Sequence, residues 1–166
     1  MRSALFCQLL LLLYHQITTL VDLHPFNGAR NASLSERFGE AGVNAVLMGL
    51  APIGYAFGIR SLMLYGVVYY FVLLFFEIMI WWVPYFTSPS GRWRGAYNFI
   101  LSIATVSFAE KDALSNWTDR HVRLHRSTIT LLPHGRGPVV PNLEHMILHL
   151  LTAVTAIATL VAVVRG

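Results

Sequence analysis

Hydrophobic residues are gathered into four long runs along this chain, and each run is long enough to cross a bilayer as one helix. The runs are Ser3 to Val21, Ala41 to Ile59, Ser61 to Phe86 and Leu143 to Val164. An α-helix rises about 1.5 Å per residue, so about 20 residues cover the hydrocarbon core of about 30 Å. The pattern predicts an all-α integral membrane protein, a four-span helical bundle that forms a single membrane domain over residues 1–166.

The polar loop 87–142 contains one further apolar stretch, Gly95 to Ala109, which is shorter than a comfortable membrane span. A stretch of this length is typical of an interfacial or re-entrant helix. We therefore expect such a helix in this long third loop. The alternative is a fifth span, which would move everything after it to the opposite side of the membrane.

Capping and turn residues mark several of the helix ends. Ser33 and Glu36 have the spacing of a capping box that opens a short helix leading into the second run. Gly58 lies between the second and third runs and predicts a tight antiparallel hairpin. Asn142 is expected to be the N-cap of the last span.

The first apolar run could also be a signal peptide that is cleaved. His15, Gln16 and Asp22 lie in or near the region where a small-x-small cleavage site should be, and none is apparent there. A removable segment also has no use for a patterned polar face. We therefore expect the run to be retained as a span.

Composition and charge agree with a membrane location. Hydrophobic residues make up 55% of the chain and charged residues only 12%, too few to cover a water-exposed surface. The lysines and arginines lie between the spans, which argues against nucleic acid as a partner and favours contact with anionic lipid headgroups. The single cysteine, Cys7, excludes an intramolecular disulfide.

The distribution of basic residues predicts the orientation. With four spans, nine of the twelve share one side and three lie on the other. The nine are Arg30, Arg37, Arg92, Arg94, Lys111, Arg120, Arg123, Arg126 and Arg136, and the three are Arg2, Arg60 and Arg165. By the positive-inside rule the arginine-rich loops are cytoplasmic and both termini are outside. We expect a multi-pass protein of the plasma membrane, the inner membrane of a bacterium.

Polar residues within the spans recur at helical spacing, so they form stripes that should face the bundle interior. The first stripe is Gln8, His15, Thr19 and Asp22, the second is Tyr70, Glu77 and Trp81, and the third is His145, His149, Thr152, Ala156 and Thr159. Glu144 lies beside the third stripe. Connectivity places the end of the first span, the end of the third and the start of the fourth on one side of the membrane. The sequence therefore predicts a polar cluster in one leaflet, which comprises His15, Asp22, Glu77, His145 and His149 with Glu144 at its rim.

The four-residue spacing of His145 and His149 puts both imidazoles on one helical face, as metal or haem ligation requires. With Glu77 and His15 nearby, these four residues are the candidate ligands of a metal ion. A second pair, His121 and His125, has the same spacing but lies among arginines. We assign that pair to a surface facing anionic headgroups.

Three functions are compatible with this cluster. The first is structural polar packing in a non-catalytic membrane protein, an accessory subunit or a binding or structural protein that forms a homo-oligomer or joins a larger membrane complex. The second is a membrane-embedded oxidoreductase that binds a metal ion or haem through the His-x3-His pair. The third is a proton-coupled small transporter that uses Glu77. We favour the first, and the sequence identifies no catalytic residue.

Overall fold

The computed structural model describes residues 1–87, 90–104, 113–137 and 139–165. Within these ranges the regular elements are helices, in agreement with the predicted all-α class. They are α1 (Arg2–Leu20), α2 (Leu34–Phe57), α3 (Arg60–Glu77), a π-helical turn (Ile78–Trp82), α4 (Val83–Phe86), α5 (Gly91–Ala104), α6 (Ala113–His125) and α7 (Leu143–Val164). A 3-10 turn, Ala29–Asn31, lies between α1 and α2.

Three helical segments in the described part of the chain are long and apolar enough to cross a membrane. They are Arg2–Leu20, Arg60–Phe86 and Leu143–Val164. The segment Leu34–Phe57 is longer than the first of these, but it carries the charged residues Glu36, Arg37 and Glu40 in its first two turns. These findings support a helical membrane protein with three candidate spans.

The four long helices pack in a ring in which α1 contacts α2, α2 contacts α3, α3 contacts α7, and α7 returns to α1. Its central layer is formed by five buried residues from all four helices: Leu11, Met48, Ala51, Tyr70 and Ala156. Gln8 donates from its amide to Thr159 Oγ1 over 3.1 Å within this interior. The predicted polar stripes face inward except at Asp22, which is exposed. Hydrogen bonds between helices satisfy inward-facing groups that lipid would leave unpaired.

The hairpin between α2 and α3 depends on glycines. Gly58 has a φ of 67°, the left-handed conformation that ends α2, as the sequence predicts. A Cβ on Gly54 would lie 2.5 Å from the Cβ of Leu62, and one on Gly66 would lie 2.8 Å from the Cβ of Ala51. The two helices can therefore approach closely only because these positions carry no side chain.

Two predicted helix caps are confirmed. Ser33 Oγ accepts from the Glu36 backbone over 3.2 Å while Glu36 Oε2 accepts from the Ser33 backbone over 2.8 Å, which is a complete capping box. Asn142 Oδ1 accepts from the backbone N–H of His145 over 3.2 Å at the start of α7.

The helices α5 and α6 form a separate small layer beside the end of α3. Tyr97, Leu101 and Leu114 are buried there against Ile80, Val83 and Trp117. Of the predicted interfacial stretch Gly95 to Ala109, residues 95–104 are helical, and residues 105–109 lie outside the described part of the chain.

The π-helical turn ends two residues before Pro84. The nitrogen of Pro84 carries no hydrogen to donate to the carbonyl four residues earlier, that of Ile80. Wider turns of this kind often occur at functional sites in helices. Trp81 and Trp82, which contact the histidines described below, both belong to this turn.

Candidate metal centre

The two His-x3-His pairs of the chain meet around one tryptophan ring. The Trp81 ring centroid lies 3.8 Å from that of His145, 4.9 Å from His121, 5.6 Å from His125 and 6.0 Å from His149. The His125 and His145 rings, one from each pair, are 4.9 Å apart and nearly perpendicular. Folding therefore joins α6 and α7 in a single imidazole cluster.

Two of these histidines and a neighbouring carboxylate lie close enough together that they could hold a metal ion. One potential ligand atom from each of His125, Glu144 and His145 lies within 4.8 Å of the other two. Two imidazoles and one carboxylate form the donor set that zinc uses in many catalytic sites, where a fourth position stays open for water or substrate. These three side chains are the best candidates for ligands.

Asn142 holds His145 in the orientation that a ligand needs. Its Oδ1 lies 2.6 Å from His145 Nδ1. Because Oδ1 also accepts from the His145 backbone, it is an acceptor, and His145 Nδ1 must carry the proton. The lone pair of His145 therefore lies on Nε2, whereas the protonated Nδ1 is the ring nitrogen that lies 3.9 Å from Glu144 Oε2. Nε2 is the atom that would bind a metal ion, as where a carbonyl orients a metal-bound histidine.

Asn142 also contacts His125. Its Nδ2 group lies 3.2 Å from His125 Nδ1 and 3.1 Å from Thr128 Oγ1. Because Nδ2 can only donate, His125 Nδ1 accepts, and the His125 proton lies on Nε2. To bind a metal ion, His125 must either exchange this hydrogen bond for the ion at Nδ1 or move its proton to Nδ1.

His149, a predicted ligand candidate, accepts a hydrogen bond from a neighbouring tryptophan. The indole Nε1–H of Trp82 donates to His149 Nδ1 over 3.0 Å. A neutral His149 must therefore carry its proton on Nε2, and this buried Nε2–H has no hydrogen-bond partner in the described structure. His149 thus presents a donor at Nε2, as His125 does, and it lies outside the group of three converging ligand atoms.

Five of the six residues of the predicted polar cluster line one cavity of about 520 Å³: His15, Glu77, Glu144, His145 and His149. The carboxyl group of Glu77 accepts from the Thr152 hydroxyl over 2.8 Å through Oε1. Asp22 is exposed and forms an ion pair with Arg30 at 3.1 Å. It does not belong to the lining because the chain turns away after α1.

The sequence did not predict His121 and His125 as members of this site. The signal was present, because the two residues repeat the spacing of His145 and His149. Their position among arginines favoured a headgroup-facing surface. In the folded protein the arginines of α6 point to α2, where Arg123 Nη2 lies 2.8 Å from Glu36 Oε1, and the histidines occupy the opposite, buried side.

Burial keeps the imidazoles of α6 neutral. It lowers the pKa of His121 from 6.5 to about 4, although a backbone hydrogen bond to Val140 partly offsets the effect. It lowers the pKa of His125 from 6.5 to about 3, with a smaller contribution from His121 and Arg120. Both rings are therefore uncharged at neutral pH, the state in which a histidine can bind a metal ion.

No family model matches this chain, and no curated protein or solved structure is significantly similar to it. The fold and site together define a helical membrane protein with a buried histidine and carboxylate cluster. Its function must be inferred from its own residues.

The lowered pKa values of His121 and His125 predict that the metal-free protein loses stability in mild acid. Below pH 6.5 the unfolded chain binds protons at these rings while the folded chain does not, so stability should fall from pH 6.5 towards about 4. We expect a lower melting temperature at pH 4.5 than at pH 7.5. Thermal unfolding is measured by tryptophan fluorescence. In the variant His121→Phe this dependence should be weaker, whereas His134→Phe, which alters an exposed histidine, should leave it unchanged. Equal pH profiles for all three proteins would contradict the assignment.

Proposed function

We propose that this chain is a membrane-embedded binding protein that holds one divalent transition metal ion through His125, Glu144 and His145. The observation that carries the proposal is the convergence of three ligand atoms within 4.8 Å, one from the end of α6 and two from the start of α7. Simple polar packing does not require such convergence. Glu144 Oε2 is buried and lacks a hydrogen-bond partner in the described structure, so it is available to a cation.

The donor set favours zinc or a similar ion over haem. Imidazole and carboxylate ligands suit zinc, iron, nickel and copper, and the Asn142 carboxamide already orients one imidazole. Haem would need space for its flat ring next to the histidine that binds its iron. Trp81 occupies that space, because its ring lies 3.8 Å from the His145 ring and contacts all four imidazoles.

The cavity supports binding more than permeation. Its lining ends at Met48, Leu73 and Glu77, near the middle of the bundle. Met48 also belongs to the central core layer, together with the fully buried Leu11 and Tyr70. A proton-coupled transporter using Glu77 would have to open this packed layer to reach the other side.

We propose that α2 also crosses the membrane, in addition to the three candidate spans, and that the arginine-rich loops lie in the cytoplasm. α2 packs along both α1 and α3, and it meets the end of α1 where Arg37 Nη2 donates to the Leu20 carbonyl over 2.8 Å. An arginine at this level can reach the headgroups while the following residues lie in lipid. The nine-to-three charge bias supports a cytoplasmic location for this side of a plasma membrane.

Cysteine labelling tests this topology. In a background that lacks Cys7, single cysteines at the exposed positions Ser3 and Ser61 should react from one side of the membrane, and those at Ser90 and Ser127 from the other. The pair Ser90 and Ser127 flanks α5 and α6. Labelling of Ser90 and Ser127 from opposite sides would show a fifth span. Labelling of Ser61 and Ser127 from the same side would exclude the four-span topology.

Elemental analysis tests the metal proposal. Protein purified in a mild detergent without chelators should contain close to one zinc or other transition metal ion per chain. After removal of the ion by a chelator, added zinc should bind again with one-to-one stoichiometry. Protein that is metal-free as purified and does not bind added zinc, cobalt or iron would exclude the proposal.

A further inference from the structure

The inner end of the cavity contains two buried polar groups that the metal site does not use. Glu77 is 7% exposed and His149 is 6% exposed. Glu77 Oε2 and His149 Nε2 both lack a hydrogen-bond partner among the described residues, and both side chains line the cavity. An unpaired buried polar group destabilises the folded state, so these atoms indicate a ligand that satisfies them.

The required chemistry of that ligand follows from the two groups. Trp82 donates to His149 Nδ1, so His149 Nε2–H is a donor. Glu77 Oε1 already accepts from Thr152, which leaves Oε2 as an acceptor. A ligand that pairs with both must accept one hydrogen bond and donate another. A hydroxyl group does both through a single oxygen atom.

The rest of this end of the cavity is apolar. Met48, Leu73, Ile80 and Leu148 belong to its lining. A volume of about 520 Å³ falls within the range of pockets that bind small organic ligands. A hydroxyl group alone would leave these apolar side chains facing empty space, whereas a hydrocarbon chain would cover them.

The cavity is open at the level where α2 enters the predicted membrane. Glu40 and Val43 belong to the lining, yet the Glu40 side chain is 49% exposed and Val43 is 60% exposed. Val43 lies about one helical turn beyond Glu40, so the opening includes a polar edge and an apolar edge. A ligand with a polar head and a hydrocarbon chain could therefore enter from the lipid leaflet.

We propose that the inner end of the cavity binds the hydroxyl headgroup of a long-chain amphipathic alcohol, which accepts from His149 Nε2–H and donates to Glu77 Oε2. The hydrocarbon chain packs on the apolar lining towards α2. This inference goes beyond the metal proposal, because neither Glu77 nor His149 is one of the three proposed ligands. The imidazole of His149 lies one turn from that of His145, with ring centroids 6.1 Å apart, so the alcohol would lie beside the metal ion.

Photolabelling tests the proposal in nanodiscs. The probe is a hexadecan-1-ol with a diazirine in the middle of its chain, and the comparison compound is the methyl ether of the same molecule. The ether can accept from His149 but cannot donate to Glu77. We expect the alcohol to label the segments around Met48 and Leu73 about tenfold more than the ether does, the effect of one buried hydrogen bond. Unlabelled hexadecan-1-ol should compete.

A matched pair of variants provides the second test. Glu77→Leu should reduce alcohol labelling to the level of the ether, and it leaves no stranded donor because the Thr152 hydroxyl can then donate to the Leu148 carbonyl, 3.0 Å away, instead. Gln8→Leu replaces another buried polar residue, which does not line the cavity, and should leave labelling unchanged. Metal content measured on the same samples separates the two proposals.

Equal labelling by the alcohol and the ether in the wild-type protein would overturn the inference, because it would show that no hydrogen bond from the hydroxyl to Glu77 contributes to binding. That comparison does not depend on the folding of any variant. Metal-free protein that still prefers the alcohol would contradict the metal proposal and support this one.

Discussion

Replacing His145 with alanine is expected to abolish metal binding, whereas replacing His149 with alanine should leave it nearly intact. Both residues lie on the same face of α7 one turn apart, so sequence spacing alone treats them alike. The structure distinguishes them, because the Asn142 carboxamide leaves His145 Nε2 free and Trp82 leaves His149 as a donor. Outer-shell substitutions already weaken metal sites about 10- to 100-fold, and loss of a ligand should exceed that effect.

The measurement is zinc or cobalt titration of chelator-treated protein in detergent, with circular dichroism to confirm that each variant remains helical. Cobalt adds a visible spectrum that reports the coordination. Equal losses in the His145→Ala and His149→Ala variants would show that His149 binds the ion and that its hydrogen bond to Trp82 breaks on binding. Equal retention in both would exclude His145 as a ligand.

Replacing Gly28 with alanine is expected to displace α6 from the bundle end and to weaken the metal site. A Cβ at this position would lie 2.4 Å from the Leu124 carbonyl oxygen and 3.0 Å from His125 Nδ1. The carbonyl belongs to the backbone of α6 and cannot rotate away. Overpacking of this kind costs about 1–3 kcal/mol, and here the strain falls directly on a proposed ligand.

We expect Gly28→Ala to lower the melting temperature and to weaken metal binding together. Gly42→Ala is the matched control, because a Cβ on Gly42 meets no atom within 4 Å, and an alanine there should favour the helix slightly. The conformation of Gly28 is ordinary, with a φ of −95°, so the effect is steric. A Gly28→Ala variant with the same melting temperature and metal affinity as the wild-type protein would contradict the packing of α6 against the loop after α1.

The sequence by itself determined the four long helices, three of their end residues and, except at Asp22, the faces that point inward. Ser33, Gly58 and Asn142 act through their own helix ends, and the polar stripes follow from the repeat of the α-helix. These features depend on residues only a few positions apart. Connectivity then sufficed to bring His15, Glu77 and Glu144 to one end of the bundle, where the cavity lies.

Only the tertiary structure decided where α6 lies and which atoms the histidines present. The composition of α6 is that of a basic surface helix, and its docking depends on long-range contacts such as the 2.8 Å hydrogen bond from Asn31 Nδ2 to the Leu124 carbonyl. The tautomers of His125, His145 and His149 are fixed by Asn142 and Trp82. Spacing along a helix places an imidazole on a face, but its partners across the bundle determine whether it offers a lone pair or a proton, because each neutral ring has one of each.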